Sequence, residues 1–181
     1  MMILRVRRVS SQKEMAKALA IRMRVFVREQ GVPEEIELDR DDRRAIHFLA
    51  FAGSRAAGTA RVVLHHNSAK IGRMAVLKSY RGRGIGKKLL QRAIAMARRT
   101  EVPEQRSEVR GQKSDIKNKK PLHRGARTIY LHAQVPVIGF YESMGFRCVG
   151  PIFDEAGIPH RKMILTPRLG SKPIKPPIRP R

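Results

Sequence analysis

The spacing of apolar residues changes repeatedly along the chain, and each change predicts an element. Residues 2–9 (MILRVRRV) alternate loosely and read as a strand. Ser11 and Glu14 then form an S-x-x-E capping box, the side-chain signature of a helix start. Behind it Met15, Leu19, Met23 and Phe26 recur at helical spacing, and Gly31 with Pro33 ends that helix. The charged stretch PEEIELDRDD reads as a loop or short turn. AIHFLAF and AAGTARVVLHH, joined by Gly53-Ser54, form a β-hairpin, and Asn67-Ser68 turns the chain into a third antiparallel strand, KIGRMAVLKS.

Helical spacing returns downstream. Leu90, Ile94 and Ala97, beside Leu89, Ala93 and Met96, predict an amphipathic helix running to about Arg99. Residues 100–127 show no clear period and few large apolar residues, and are expected to be a long, mobile insertion. TIYLHA is a short strand. Pro136 suits a helix N1 position and Gly145 a C′ position, bracketing VIGFYESM. FRCVGPIF and HRKMIL form a last hairpin around residues 154–159. From Pro167 onward five prolines and five basic residues, with no acid, cannot build a core. The expectation is one domain over 1–166 and a basic, Pro-rich, disordered tail over 167–181.

Composition narrows the class. The 181 residues suffice for one domain with a real core, and 41% hydrophobic content argues against a disordered chain. No apolar run approaches the length of a membrane span, and the start is too short in apolar residues for a signal peptide. The single cysteine, Cys148, excludes an internal disulfide and a cysteine metal cluster, so a reducing, cytoplasmic setting is expected. Charge is the unusual feature: 39 Lys and Arg against 15 Asp and Glu, a formal net of +24. Such a balance favours anionic partners: nucleic acid, membrane surfaces or a phosphate-rich small molecule. Six of those acids are gathered within residues 34–42.

The stretch YRGRGIGKKL, residues 80–89, puts a glycine-rich basic turn at the mouth of the long helix. Glycines allow close backbone approach and positive φ, successive N–H groups form a concave nest, and the helix dipole adds positive potential. Arg81, Arg83, Lys87 and Lys88 add charge, so a phosphate ligand is the natural expectation. A Walker A loop is excluded, because Lys88 replaces its Ser or Thr and Arg81 its first Gly. A dinucleotide fingerprint fits Gly82 and Gly84 but finds Lys87 at its third glycine.

What fits is R-x-x-G-x-G, Arg81 to Gly86, which resembles the pyrophosphate loop of the GNAT-type N-acetyltransferases. RMAVLKSYRGRGIGKKLL looks like that family's fourth strand, loop and third helix, and LHAQ…GFYESMGF like its fifth strand and fourth helix. RVFVREQGVPEEIELDRDD followed by His47 is similar to the opening of the ElaA/YjcF-like branch. The resemblance implies an α/β fold: a mixed, mainly antiparallel sheet with helices on both faces and a cofactor cleft between splayed fourth and fifth strands. It implies acyl transfer from acetyl-CoA to a primary amine within a ternary complex.

Roles follow from the same resemblance. The backbone around Met74, Ala75 and Val76 would pair with pantetheine, and the Val76 N–H would polarise the thioester carbonyl. Arg81, with the turn formed by Gly82, Arg83, Gly84, Ile85, Gly86 and Lys87, would hold the pyrophosphate. Gln134 stands where many relatives carry an Asn that binds the pantetheine arm. Tyr141 takes the position of the usual catalytic tyrosine, the general acid for the departing thiolate. Glu29, Glu34, His47 and His132 are candidates for the general base or for contacts to the acceptor. No metal is expected. The acidic segment is either an attractor for a cationic amine or a solvated loop. A rival class is a basic nucleic-acid-binding protein of the same fold with little catalysis, and the tail would add weak nucleic-acid binding. A monomer and a homodimer both stay open, and no membrane partner is expected.

Overall fold

A computed structural model describes residues 3–100 and 126–166. Nearly all of the expected insertion at 100–127, and the whole tail at 167–181, lie outside the described residues. The strands are β1 Leu4–Arg8, β2 Ile46–Ala52, β3 Arg55–His65, β4 Ser68–Val76, β5 Thr128–Gln134, β6 Phe146–Glu155 and β7 Ile158–Leu165. They form one sheet in the order β1-β2-β3-β4-β5-β7-β6, antiparallel throughout except for the parallel pair β4–β5. The helices are α1 Gln12–Arg22, α2 Glu34–Glu37, α3 Ile85–Arg99 and α4 Ile138–Glu142.

Both faces of the sheet are covered, and β2 shows why. Its unbroken apolar run sends alternate side chains to opposite faces. Phe48, Ala50 and Ala52 join the stripe of α3 (Ile85, Leu89, Leu90, Ala93, Ile94, Ala97), while Leu49 and Phe51 meet Ala18, Ile21 and Val25 of α1 and its continuation. α4 adds Tyr141 to the α3 layer. In β3, Gly58 lets α3 approach: a Cβ there would lie 3.0 Å from Ala75 O and 3.1 Å from both Ile85 and Leu89.

Ser11 caps α1 as its pattern predicts, accepting from the Glu14 N–H, while Glu14 accepts from the Ser10 N–H at 2.9 Å. The helix beyond Arg22 does not stay α-helical: residues Met23–Glu29 widen into π turns, which an apolar spacing compatible with both periods does not reveal. The acidic stretch, expected as a loop or short turn, holds the one-turn helix α2 and a 3₁₀ turn, Arg40–Arg43. Pro136 opens a 3₁₀ turn that leads into the short α4, and Gly145 follows the helix end at φ +89°. The last hairpin closes on two residues, Ala156 and Gly157, both with positive φ.

Two features of β4 set up the cleft. Thr59 pairs with Ala75 and Arg61 with Gly72, so Arg73 and Met74 together oppose Ala60 in a β-bulge. Arg73 sits at φ +49°, a conformation side chains seldom adopt. The parallel ladder to β5 runs from Ser68↔Thr128 to Ile71↔Leu131 and stops just before this bulge. Beyond it β4 and β5 part, while β5 stays paired along its other edge with β7 as far as Gln134↔His160.

Candidate active site

The parting leaves a cavity of about 690 Å³ between the two strands. Its lining includes Met74, Ala75 and Val76 of β4, His132 and Gln134 of β5, the glycine turn, and Tyr141. The Leu77 N–H donates to Ala57 O at 2.9 Å, toward β3. In an extended strand the preceding residue points the opposite way, so the Val76 N–H faces the opening. Its carbonyl does too, and accepts from Arg81 Nε at 3.0 Å.

At the open end of β4 the chain makes a 3₁₀ turn, Lys78–Tyr80, and enters the glycine turn. Gly82 and Gly84 have φ of +75° and +76°, and no other group comes within 4 Å of where their Cβ atoms would be. Gly84 is the N-cap of α3 and supplies no side-chain cap, which leaves the first-turn amides of Ile85, Gly86 and Lys87 for a ligand. Gly86 packs near Phe140, whose ring a Cβ would meet at 3.6 Å. Arg83 lies over the Tyr80 ring, 5.7 Å from its centre. This donor set, backbone amides at a helix N-terminus with basic side chains around them, fits a pyrophosphate. Arg81 is differently engaged: its guanidinium forms a fork on Glu29 at 2.6 and 2.9 Å. That bond holds the Glu29 carboxyl below its usual range.

Tyr141 enters from the α3–α4 face. Its ring packs edge-on to Phe140 and Phe146, and its hydroxyl reaches Met74 Sδ at 3.7 Å across the opening. Burial pushes the phenol up to about 12, so it stays protonated. On the other face, Gln134 bonds Gln30 at 2.9 Å, tying the end of β5 to the chain after the π turns. His132 lines the cavity, and its Nδ1 meets Glu155 at 2.8 Å.

The remaining candidates are placed elsewhere. Glu34 is exposed on α2, and neither it nor Glu29 lines the cavity. His47 is buried among charges: Nε2 meets Asp42 O at 3.1 Å, Nδ1 has no partner among the described residues, and burial lowers its basicity. Three acids of the acidic segment, Glu37, Asp39 and Asp42, turn inward. Arg22 is buried against Glu37 and bonds Asp42 at 2.7 Å, Arg61 bonds Asp39 at 2.6 Å and Asp42 at 2.8 Å, and Arg73 bonds Glu37 at 2.9 Å and Asp39 at 3.0 Å. Burial opposes the ionised forms of Asp39 and Asp42, yet the arginines outweigh it and hold both below the usual range. Arg73 NH2 also donates to Ile36 O at 2.9 Å, so this segment clamps the bulge residue in its unusual conformation. Arg73, Glu155, Phe140 and Gly58 also shape the site, and sequence alone assigns them no role in it. Only Gly58, a glycine inside a strand pattern, carried a local signal. Among the described residues no His, Cys, Asp and Glu group is arranged to hold a metal ion, and no helix is long and apolar enough to cross a membrane.

A sheet opened between its one parallel pair, with a glycine turn heading a helix at the mouth, defines a coenzyme A-type acyltransferase fold. The acetyltransferase (GNAT) domain profile matches residues 43–148. A Bacillus subtilis protein whose name assigns it provisionally to the acetyltransferases is 34% identical over 158 residues, covering 86% of this chain and 91% of its own. The uncharacterized N-acetyltransferase YjcF of the same organism is 28% identical, covering 85% and 94%. The crystal structure of Escherichia coli ElaA superposes with a TM-score of 0.67 at 24% identity, covering 92% of this chain and all of that one, a likeness of fold. The chain belongs to the GNAT acetyltransferase family, whose members are acyl-CoA-dependent N-acyltransferases acting on an amine.

Proposed function

We propose that this protein transfers acetyl from acetyl-CoA to a primary amine by direct attack within a ternary complex. The observation that carries the reading is the open half of β4, whose Val76 N–H faces the cavity, set beside an uncapped glycine turn. Acetyl-CoA supplies an activated carbonyl carbon and a thiolate leaving group. Residues 74–76 hold the pantetheine arm as an added strand would, and the amides of 83–87 hold the pyrophosphate. Val76 N–H stabilises negative charge developing on the carbonyl oxygen. Tyr141 donates its hydroxyl proton toward the departing sulfur. Burial raises the phenol to about 12, so its proton is held tightly. Tyr141 therefore acts chiefly as a hydrogen-bond donor to the thiolate, and solvent completes the protonation. The choice of acetyl and of a primary amine follows the family resemblance. The nucleic-acid reading is not favoured: it needs only surface charge and leaves the cavity and turn without use.

Isothermal calorimetry tests the proposal. Wild-type protein binds acetyl-CoA, and Gly84→Glu abolishes binding, because a side chain is strained at φ +76° and its carboxylate repels phosphate. Wild-type protein that binds no better than this variant would refute the cofactor assignment.

A further inference from the structure

β5 presents its residues alternately. Ile129, Leu131 and Ala133 are buried in the α3 layer, which places Tyr130, His132 and Gln134 on the opposite face. Tyr141 belongs to the α3 layer, so His132 and Tyr141 line one cavity from the two faces of the sheet. That is the arrangement acyl transfer asks for: an amine arriving on one side of the carbonyl and sulfur leaving on the other. Glu155 accepts from His132 Nδ1–H at 2.8 Å, and this fixes the tautomer with Nε2 as the basic nitrogen. Phe153 packs edge-on against the imidazole at 4.9 Å, holding the ring's plane. Among the described residues Nε2 has no hydrogen-bond partner, although the ring lines the cavity.

We propose that His132, oriented by Glu155, is the general base that takes the proton from the acceptor amine. The inference rests on the acyltransferase reading and adds the half of the reaction that reading left without a residue. As the new C–N bond forms, the amine proton passes to His132 Nε2, and the C–S bond breaks with its electron pair on sulfur. The imidazolium then returns its proton to solvent. The hydrogen bond from His132, together with nearby positive charge, draws the Glu155 carboxyl down to about 2, so an anion stands ready to stabilise that imidazolium. Other charged or titratable groups face the site. Lys162 lies opposite His132 on β7 with His160 on the same strand, Lys70 lies on β4, and Tyr130 lies next on β5. From the chain after α1 the neutral Gln30 reaches Gln134.

The test uses acetyl-CoA with a panel of an alkylamine, a polyamine, an aminoglycoside and an α-amino peptide, reading thiol release and following the best acceptor across the titration range of imidazole. His132→Asn is expected to lower kcat/KM for the amine by about 10²-fold or more. The part of the acidic limb that is not the amine's own ionisation disappears, and acetyl-CoA affinity is unchanged. An amine already neutral at the assay pH shows a smaller loss. Glu155→Gln keeps the shape but removes the charge, and is expected to move the acidic limb to lower pH. An unaltered profile in either variant overturns the inference and leaves the acyltransferase reading standing. No thiol release by wild-type protein with any amine overturns both.

Discussion

Tyr141 and Met74 meet where the sheet opens, a buried phenol against a thioether at 3.7 Å. A thioether accepts weakly, so the hydroxyl exchanges it for a better acceptor with little loss. Tyr141→Phe is accordingly expected to lower kcat by about 10²-fold, near the low end for a positioned proton donor, with acetyl-CoA affinity nearly unchanged. Rapid-quench kinetics would measure the chemical step, and an unchanged rate there would reduce Tyr141 to packing. Tyr141 and the glycine turn were legible in sequence because each sits inside a short local pattern. The partners of the site residues were not. Glu155 reaches His132 across 23 positions and Glu29 reaches Arg81 across 52, distances over which spacing carries no signal.

Among the elements, the strands, α1 and α3 announced themselves through their periods, and the expected parting of the fourth and fifth strands is present. α2 escaped because its burial is inverted: Glu37 is buried while Ile36 and Leu38 are 46% and 44% exposed. A hydrophobic pattern cannot anticipate a helix that turns its carboxylate inward to arginines. Those arginines include Arg73, and the β-bulge depends on it. Arg73→Ala removes the clamp and leaves a side chain at φ +49°, whereas Arg73→Gly removes the clamp alone. The glycine variant is therefore expected to be the more stable of the two by about 1 kcal/mol. Urea unfolding of the pair decides this. Equal midpoints would mean that the bulge relaxes to ordinary backbone once the guanidinium is gone.

At the scale of the whole molecule, the excess of +24 and the cluster of acids are separate matters. The clustered acids Glu37, Asp39 and Asp42 are engaged internally by Arg22, Arg61 and Arg73, while Glu34 and Glu35 stay exposed and Asp41 pairs with Arg44 at the surface. Charge counts along a sequence could not distinguish an outward attractor from an inward brace.

Among the described residues, the four rungs of the β4–β5 ladder, from Ser68↔Thr128 to Ile71↔Leu131, are the only direct strand pairing between a four-stranded half and a three-stranded half of the sheet. The protein is thus a book bound along part of its spine, and on the function proposed above the co-substrate would serve as the missing stitching. The Val76 N–H, which faces the opening, gains a partner when the co-substrate lies along β4. Saturation should then strengthen the fold as well as load the enzyme. At 100-fold excess over Kd the gain is about 2.7 kcal/mol for a ligand that ignores the unfolded chain. Differential scanning fluorimetry would show the melting temperature climbing steadily with the logarithm of acetyl-CoA concentration. Desulfo-CoA should reproduce most of the climb, because it keeps the pyrophosphate and nearly all of the pantetheine arm. Free acetate should reproduce none.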